Sequence, residues 1–220
     1  MLSIDLSRLD AVLFDLDGTL WDSAAGVSQA WQRALERRPP FREPITEAEF
    51  RSLMGMRIDD IGKKLFPALA PAAQEALVRE CLAEERVWLK KAGGKVYPGV
   101  AETLAQLAAG YRLCLVSNCE TGYIENLFDL TGLGPYFSDW ITFGETKQNK
   151  GENIRLIMAR NRFQAPVFVG DTALDQAAAG ENNLPFIYAA YGFGSLTAYD
   201  EQITAFSQLT DLLLPASHER

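Results

Sequence analysis

The chain has 220 residues, 48% of them hydrophobic, enough to bury a sizeable core in one domain with an insertion or in two small domains. A net charge of -8 sets it against nucleic acid polymers and anionic membrane surfaces, which are held by clustered Lys and Arg. Three cysteines make no disulfide framework and lack zinc spacing; with no long apolar run and no basic-then-apolar leader, a reducing cytoplasm is the expected compartment.

The first predicted element is a buried strand, Ala11 to Asp15, which runs into Leu16-Asp17-Gly18-Thr19-Leu20. In extended backbone the side chains alternate, so Asp15 and Asp17 lean to one side while Leu16 points to the packing. Two carboxylates in so small a space repel. The pair persists only where a cation neutralises it, where one acid stays protonated, or where the two have separate roles in a reaction.

From Asp22 to Gly93-Gly94 only helical periodicities occur. Val27, Trp31, Ala34 and Leu35 share one face, followed by Phe50, Leu53 and Met54, then Ile58, Ile61 and Leu65, then a long stretch from Leu77 to Trp88. Pro39-Pro40 and Pro67 separate the helices, and Thr46 with Glu49 has capping-box spacing. Trp31 belongs to the core of this part. The pattern predicts a helical insertion over residues 22–94, hinged at Trp21-Asp22 and Gly93-Gly94, with residues 1–21 and 95–220 forming the α/β core.

Beyond the insertion strands and helices alternate: helix Val100 to Ala109, strand Arg112 to Ser117, helix Ile124 to Leu130, and a strand near Trp140 to Phe143. A helix carrying Ile154, Ile157 and Met158 leads to strand Pro166 to Gly170, a short helix ending at Gly180, and a fifth strand, Leu184 to Ala189. Such alternation predicts a Rossmann-like parallel sheet with helices on both faces, whose strand C-terminal ends share one rim. Three further groups fall at that rim. Ser117 and Asn118 end the second strand and offer a hydroxyl and N–H groups to phosphate oxygens, or simply make a turn. Lys150 opens a helix, where a cation could meet an anion; Lys147 is its rival. Asp171 and Asp175 follow the fourth strand, one helical turn apart.

Asp15-Leu16-Asp17-Gly18-Thr19-Leu20, Ser117, Lys150 in Lys-x-x-Asn-Ile, and Asp171 with Asp175 together resemble the four motifs of the haloacid dehalogenase-like hydrolase superfamily. The likeness spans nearly the whole chain and is greatest to the helical-cap branch of phosphoglycolate phosphatase-like enzymes. It implies a phosphatase for a small phosphorylated metabolite: phosphoglycolate, a sugar phosphate or a nucleotide monophosphate. Asp15 would be the nucleophile that forms an aspartyl-phosphate, and Asp17 the general acid and base. Ser117, Asn118 and Lys150 would bind the phosphoryl oxygens. Mg²⁺ would be held by Asp15, Asp17 (through its carbonyl) and Asp171, because hard oxygen donors suit that ion. Asp175 would orient Lys150 or a metal-bound water.

The resemblance further implies a lid whose Arg57 reaches the substrate, unless that arginine is merely solvated, and a Trp21 that either walls the entrance or packs. The expected partner is a small phosphomonoester, with no nucleic acid polymer and no membrane, and the chain is expected to be a monomer or a homodimer. A β-phosphoglucomutase-like enzyme shares all four motifs, but a histidine after the nucleophile loop is missing: Val27 stands there, and the only histidine is His218 in the tail. A dehalogenase has no use for Asp17, and a non-catalytic binding module has no use for the full set of acids.

Overall fold

A computed structural model describes residues 4–5 and 7–214. The chain begins with strand β1 (Ala11–Phe14), buried throughout, and the short strand β2 (Trp21–Asp22). Four helices follow: α1 (Ala24–Leu35), α2 (Glu47–Arg51), α3 (Ile58–Leu65) and α4 (Pro71–Ala92). Strand β3 (Lys95–Val96) closes this insertion by pairing antiparallel with β2, Trp21 opposite Val96. Then come α5 (Val100–Ala108), β4 (Arg112–Ser117), α6 (Tyr123–Thr131), β5 (Phe137–Thr142), the single turn α7 (Phe143–Thr146) and α8 (Lys150–Asn161). The chain continues as β6 (Val167–Gly170), α9 (Ala173–Glu181), β7 (Phe186–Ala189), β8 (Glu201–Ile203) and α10 (Gln208–Leu213).

Six strands form one parallel sheet in the order β5-β4-β1-β6-β7-β8. Alternation along β1 divides the core in two: Val12 and Phe14 face one apolar cluster with Leu104, Leu127 and Leu209, while Ala11 and Leu13 face another with Ile154, Ile157 and Ala179. Helices α5, α6 and α10 therefore cover one face and α8 and α9 the other, as a buried parallel sheet requires. Placing β1 between β4 and β6 lines up the ends of all three strands.

The insertion is held by its own apolar stripes. α4 packs along α1 and begins on Pro71, where a missing N–H costs nothing. Trp31 lies fully buried between Phe50 and Phe66, with ring centroids 5.2 and 6.4 Å away. Cys81 and Cys114 are buried, in keeping with a packing role.

Four details depart from the sequence reading. The sheet carries a sixth strand, β8, too short and too polar to register as one. β5 begins at Phe137, three residues before Trp140. Of the expected hinge positions, Trp21-Asp22 pairs as β2 with β3 in a two-stranded ribbon, which Gly93-Gly94 immediately precedes. Thr46 Oγ1 does accept the Glu49 N–H at 3.1 Å, but the Glu49 carboxylate is held by Arg42 at 2.7 and 2.8 Å, so the reciprocal half of the box is lost to a stronger bidentate partner. His218 lies outside the described residues.

Candidate active site

Asp15 follows β1 directly, and its N–H donates to the Val169 carbonyl of β6 at 2.9 Å, which fixes where the side chain leaves the sheet. The turn behind it needs Gly18: φ is +91° there, and a Cβ would lie 2.2 Å from Asp171 Oδ2. Lys150, the first residue of α8, is 4% exposed and donates to Asp15 Oδ1 and Asp175 Oδ1, both at 2.5 Å. Asp175 is held in turn by α9. Its Oδ2 accepts from the Thr172 N–H at 2.9 Å and from Thr172 Oγ1 at 2.5 Å, and Thr172 Oγ1 accepts the Asp175 N–H, completing a capping box. A helix cap thus aims the carboxylate that holds the lysine.

The charges at the rim do not balance. Burial opposes the Lys150 charge, yet Asp15 and Asp175 outweigh it and hold the ammonium above the ordinary lysine range. Burial, and next the charge of Asp175, pushes the Asp15 carboxyl up to about 7 despite Lys150. Asp171 is pushed well above its ordinary value, first by burial and then by Asp175 and Asp15, although the Phe193 N–H donates to its Oδ2 at 2.6 Å. Oxygens of Asp15, Asp171 and Asp175 lie within 4.8 Å of one another. Both Asp175 oxygens are already engaged. Asp15 Oδ2 and Asp171 Oδ1 are buried with no hydrogen-bond partner, a costly state unless a cation takes them. This donor set, all oxygen and net negative, fits a hard divalent ion.

The Asp17 carboxylate does not join that cluster. Its Oδ1 receives Trp21 Nε1 at 3.1 Å, Ser23 Oγ at 2.7 Å and the Tyr123 hydroxyl at 2.9 Å, which turn it toward the insertion side of the rim. Burial raises its pKa; the three donors, led by Ser23, pull the other way. Trp21 therefore packs, fully buried and edge-on to Tyr123 at 5.8 Å, and also steers Asp17. Ser23 and Tyr123 were not anticipated. Their only signals in the sequence are closeness to the Asp15 turn and to the Ser117 strand end.

Ser117, at the end of β4 next to β1, is 3% exposed and accepts the Cys119 N–H at 3.2 Å. Asn118 also reaches the rim, but its Nδ2 donates to the Gly55 carbonyl of the insertion at 2.8 Å. Its Oδ1 is buried and unpartnered. Lys147 points away, its side chain 61% exposed near Glu120 at 3.4 Å. Arg57 is not brought to the acids. Its guanidinium lies over the Phe143 ring, 4.7 Å from the centroid, and faces Asp59 at 3.4 Å, in a crevice beside Asn118 and Lys150. Asp15, Asp17 and Ser117 instead open onto a cavity of about 70 Å³ closed by Trp31, Phe50 and Leu82 of the insertion.

No helix among the described residues is long and apolar enough to cross a membrane. The model of the haloacid dehalogenase-like hydrolase family matches residues 9–182. Phosphoglycolate phosphatase of Salmonella typhi is 30% identical, over 94% of this chain and 92% of its own length. The plasmid-borne phosphoglycolate phosphatase of Cupriavidus necator is likewise 30% identical, over 94% of each. Among solved structures, CbbY of Rhodobacter sphaeroides in complex with xylulose-(1,5)bisphosphate superposes with a TM-score of 0.76 at 18% identity, covering 91% of this chain and 96% of that one, a likeness of fold. With groups from three strand ends and the start of α8 gathered at one acidic rim and a family model matched over most of its length, the chain is an enzyme, and it belongs to the haloacid dehalogenase-like hydrolase family.

Proposed function

We propose that the protein is a Mg²⁺-dependent phosphatase of a small cytoplasmic metabolite, with residues 22–94 acting as a cap over the site. The observation that carries this reading is the pair of buried, unpartnered oxygens, Asp15 Oδ2 and Asp171 Oδ1, beside a lysine already shared by two acids. Mg²⁺ bound by Asp15, Asp171 and the Asp17 carbonyl would neutralise the acids and offset charge on the transferring phosphoryl group.

Asp15 attacks phosphorus in line through the carboxylate oxygen not given to the metal, and the bond to the leaving oxygen breaks as the acyl phosphate forms. Lys150 and Ser117 bind the phosphoryl oxygens as their charge redistributes. Asp17, kept protonated more readily by burial, gives its proton to the leaving oxygen. In the second half-reaction it takes a proton from water, which attacks the acyl phosphate and returns Asp15 to a carboxylate. Asp175 touches no reacting atom and acts by holding Lys150 in place.

The test is release of phosphate from a panel of phosphoglycolate, sugar phosphates and nucleotide monophosphates, with and without Mg²⁺. Turnover is expected only with the ion. Asp15→Asn should lower it about 1,000-fold or more while leaving the melting temperature near that of the parent. Undiminished turnover in that variant would refute covalent catalysis at Asp15. Bisphosphate-dependent isomerisation without net phosphate release would replace the phosphatase by a mutase.

A further inference from the structure

The cavity over Asp15 and Asp17 has an apolar ceiling from the insertion, and one acid interrupts it. Leu77, Cys81 and Leu89 of α4 follow one another at four- and eight-residue spacing on the buried stripe, and Glu85 occupies the missing place between them. Its carboxyl is consequently carried inward; the residue is 8% exposed. Trp31 Nε1 donates to Glu85 Oε2 at 2.6 Å and fixes its orientation, leaving the other oxygen to accept from whatever enters. Burial, against the Trp31 hydrogen bond, pushes this carboxyl up to about 7.

No Lys, Arg or His among the described residues lines this cavity. Lys150 stands behind Asp15 with its ammonium held by two carboxylates. Arg57 lines the crevice on one side and Arg86 the crevice on the other. Four acids do line the cavity: Asp15, Asp17, Glu85 and Glu120, the last beside exposed Lys147. A carboxylate on the alcohol end of a substrate would lose its water here and find no cation to pair with. A hydroxyl or an ammonium would meet an oriented acceptor.

We propose, resting on the phosphatase reading above, that Glu85 is a specificity-determining residue: it selects phosphomonoesters of small alcohols that carry a second hydrogen-bond donor and rejects alcohols that carry a carboxylate. The comparison uses ethyl phosphate, 2-hydroxyethyl phosphate, ethanolamine phosphate and 2-phosphoglycolate, four esters of similar size, with the Mg²⁺-loaded protein. The two donor-bearing esters should have kcat/KM roughly ten-fold or more above phosphoglycolate, with ethyl phosphate between them. In Glu85→Gln the gap should narrow about ten-fold, chiefly through KM, because the amide presents no charge to the carboxylate. Phosphoglycolate ranked equal or first in the parent protein overturns the inference, whether or not the variant folds; an unchanged ranking in a folded variant does the same. Hydrolysis of p-nitrophenyl phosphate reports separately on the underlying reading: if that ester and the other four are all left intact, the phosphatase itself fails.

Discussion

The sheet rim and the helical insertion bury polar groups by different physics. At the rim Asp15, Lys150, Asp175 and Thr172 form a charged chain in which each member positions the next, anchored to strand and helix termini. The insertion is an aromatic and aliphatic bundle with a single buried acid, Glu85, held by one indole. Its Arg–Glu pairs, such as Arg38 with Glu80, are solvated and contribute little to stability. The difference teaches a division of labour: on the proposed reading, charge held rigidly at the strand ends would perform the reaction, whereas the one buried acid in the otherwise apolar insertion would distinguish among substrates.

The heaviest blow to that contrast falls on the rim. Lys150→Met removes the cation between two buried carboxylates, and it should cost about 3–5 kcal/mol in urea unfolding as well as turnover. A loss below 1 kcal/mol would mean that the carboxylates are solvated or share a proton, and that the rim is not the rigid half.

Glu85→Gln probes the other half through pH. The Glu85 carboxyl sits at about 7 in the folded protein against 4.5 ordinarily, because burial favours its neutral form. The folded state then holds a proton that the unfolded state releases, so this stabilising share is complete below 4.5 and is lost as pH climbs to about 7. Glutamine carries no such penalty. Relative to the parent, the variant should gain on the order of 2–3 kcal/mol on going from about pH 5 to about pH 8, read as a widening difference in melting temperature. A constant difference across that range would place Glu85 in contact with water.

Tyr123→Phe removes one of three donors from Asp17. Because that hydrogen bond favours the ionised acid, its loss should raise the Asp17 pKa further and move the corresponding limb of the kcat profile to higher pH, with kcat down about five-fold. A profile that does not move would assign the limb to another group. The smallest effect belongs to the ion pair of Arg51 with Asp22 at the hinge, where the arginine side chain is 39% exposed. Arg51→Ala should change stability by less than about 1 kcal/mol, with KM altered about two-fold as the lid loosens. A larger loss of stability would show that the hinge is built like the rim.

Much of the rim was legible because its chemistry is local. Asp15 and Asp17 fall just past the end of β1, and Asp171 and Asp175 straddle the start of α9, so a few consecutive residues pick them out, although the Asp17 carboxylate turns away from the other three. Lys150 could be preferred over Lys147 by motif, and the fold adds the reason: one opens α8 beneath Asp15, while the other ends α7 in a left-handed turn facing solvent. Arg57 shows the limit. The resemblance offered it as a substrate contact or as a solvated arginine, and the fold lays its guanidinium on Phe143, away from the acids.

The order of residues by itself determined the alternation of strands and helices, the helical insertion and the identity of the strand-end acids, since each depends on periodicity or on a few consecutive side chains. Only the tertiary structure decided that Tyr123, one hundred and six positions away, would grip Asp17, that Phe193 would donate its N–H to Asp171, and that Glu85 would face the cavity from the insertion. Those contacts join segments whose separation along the chain carries no periodic signal; they exist because parallel strands bring their ends together and because an apolar stripe buries whatever lies within it.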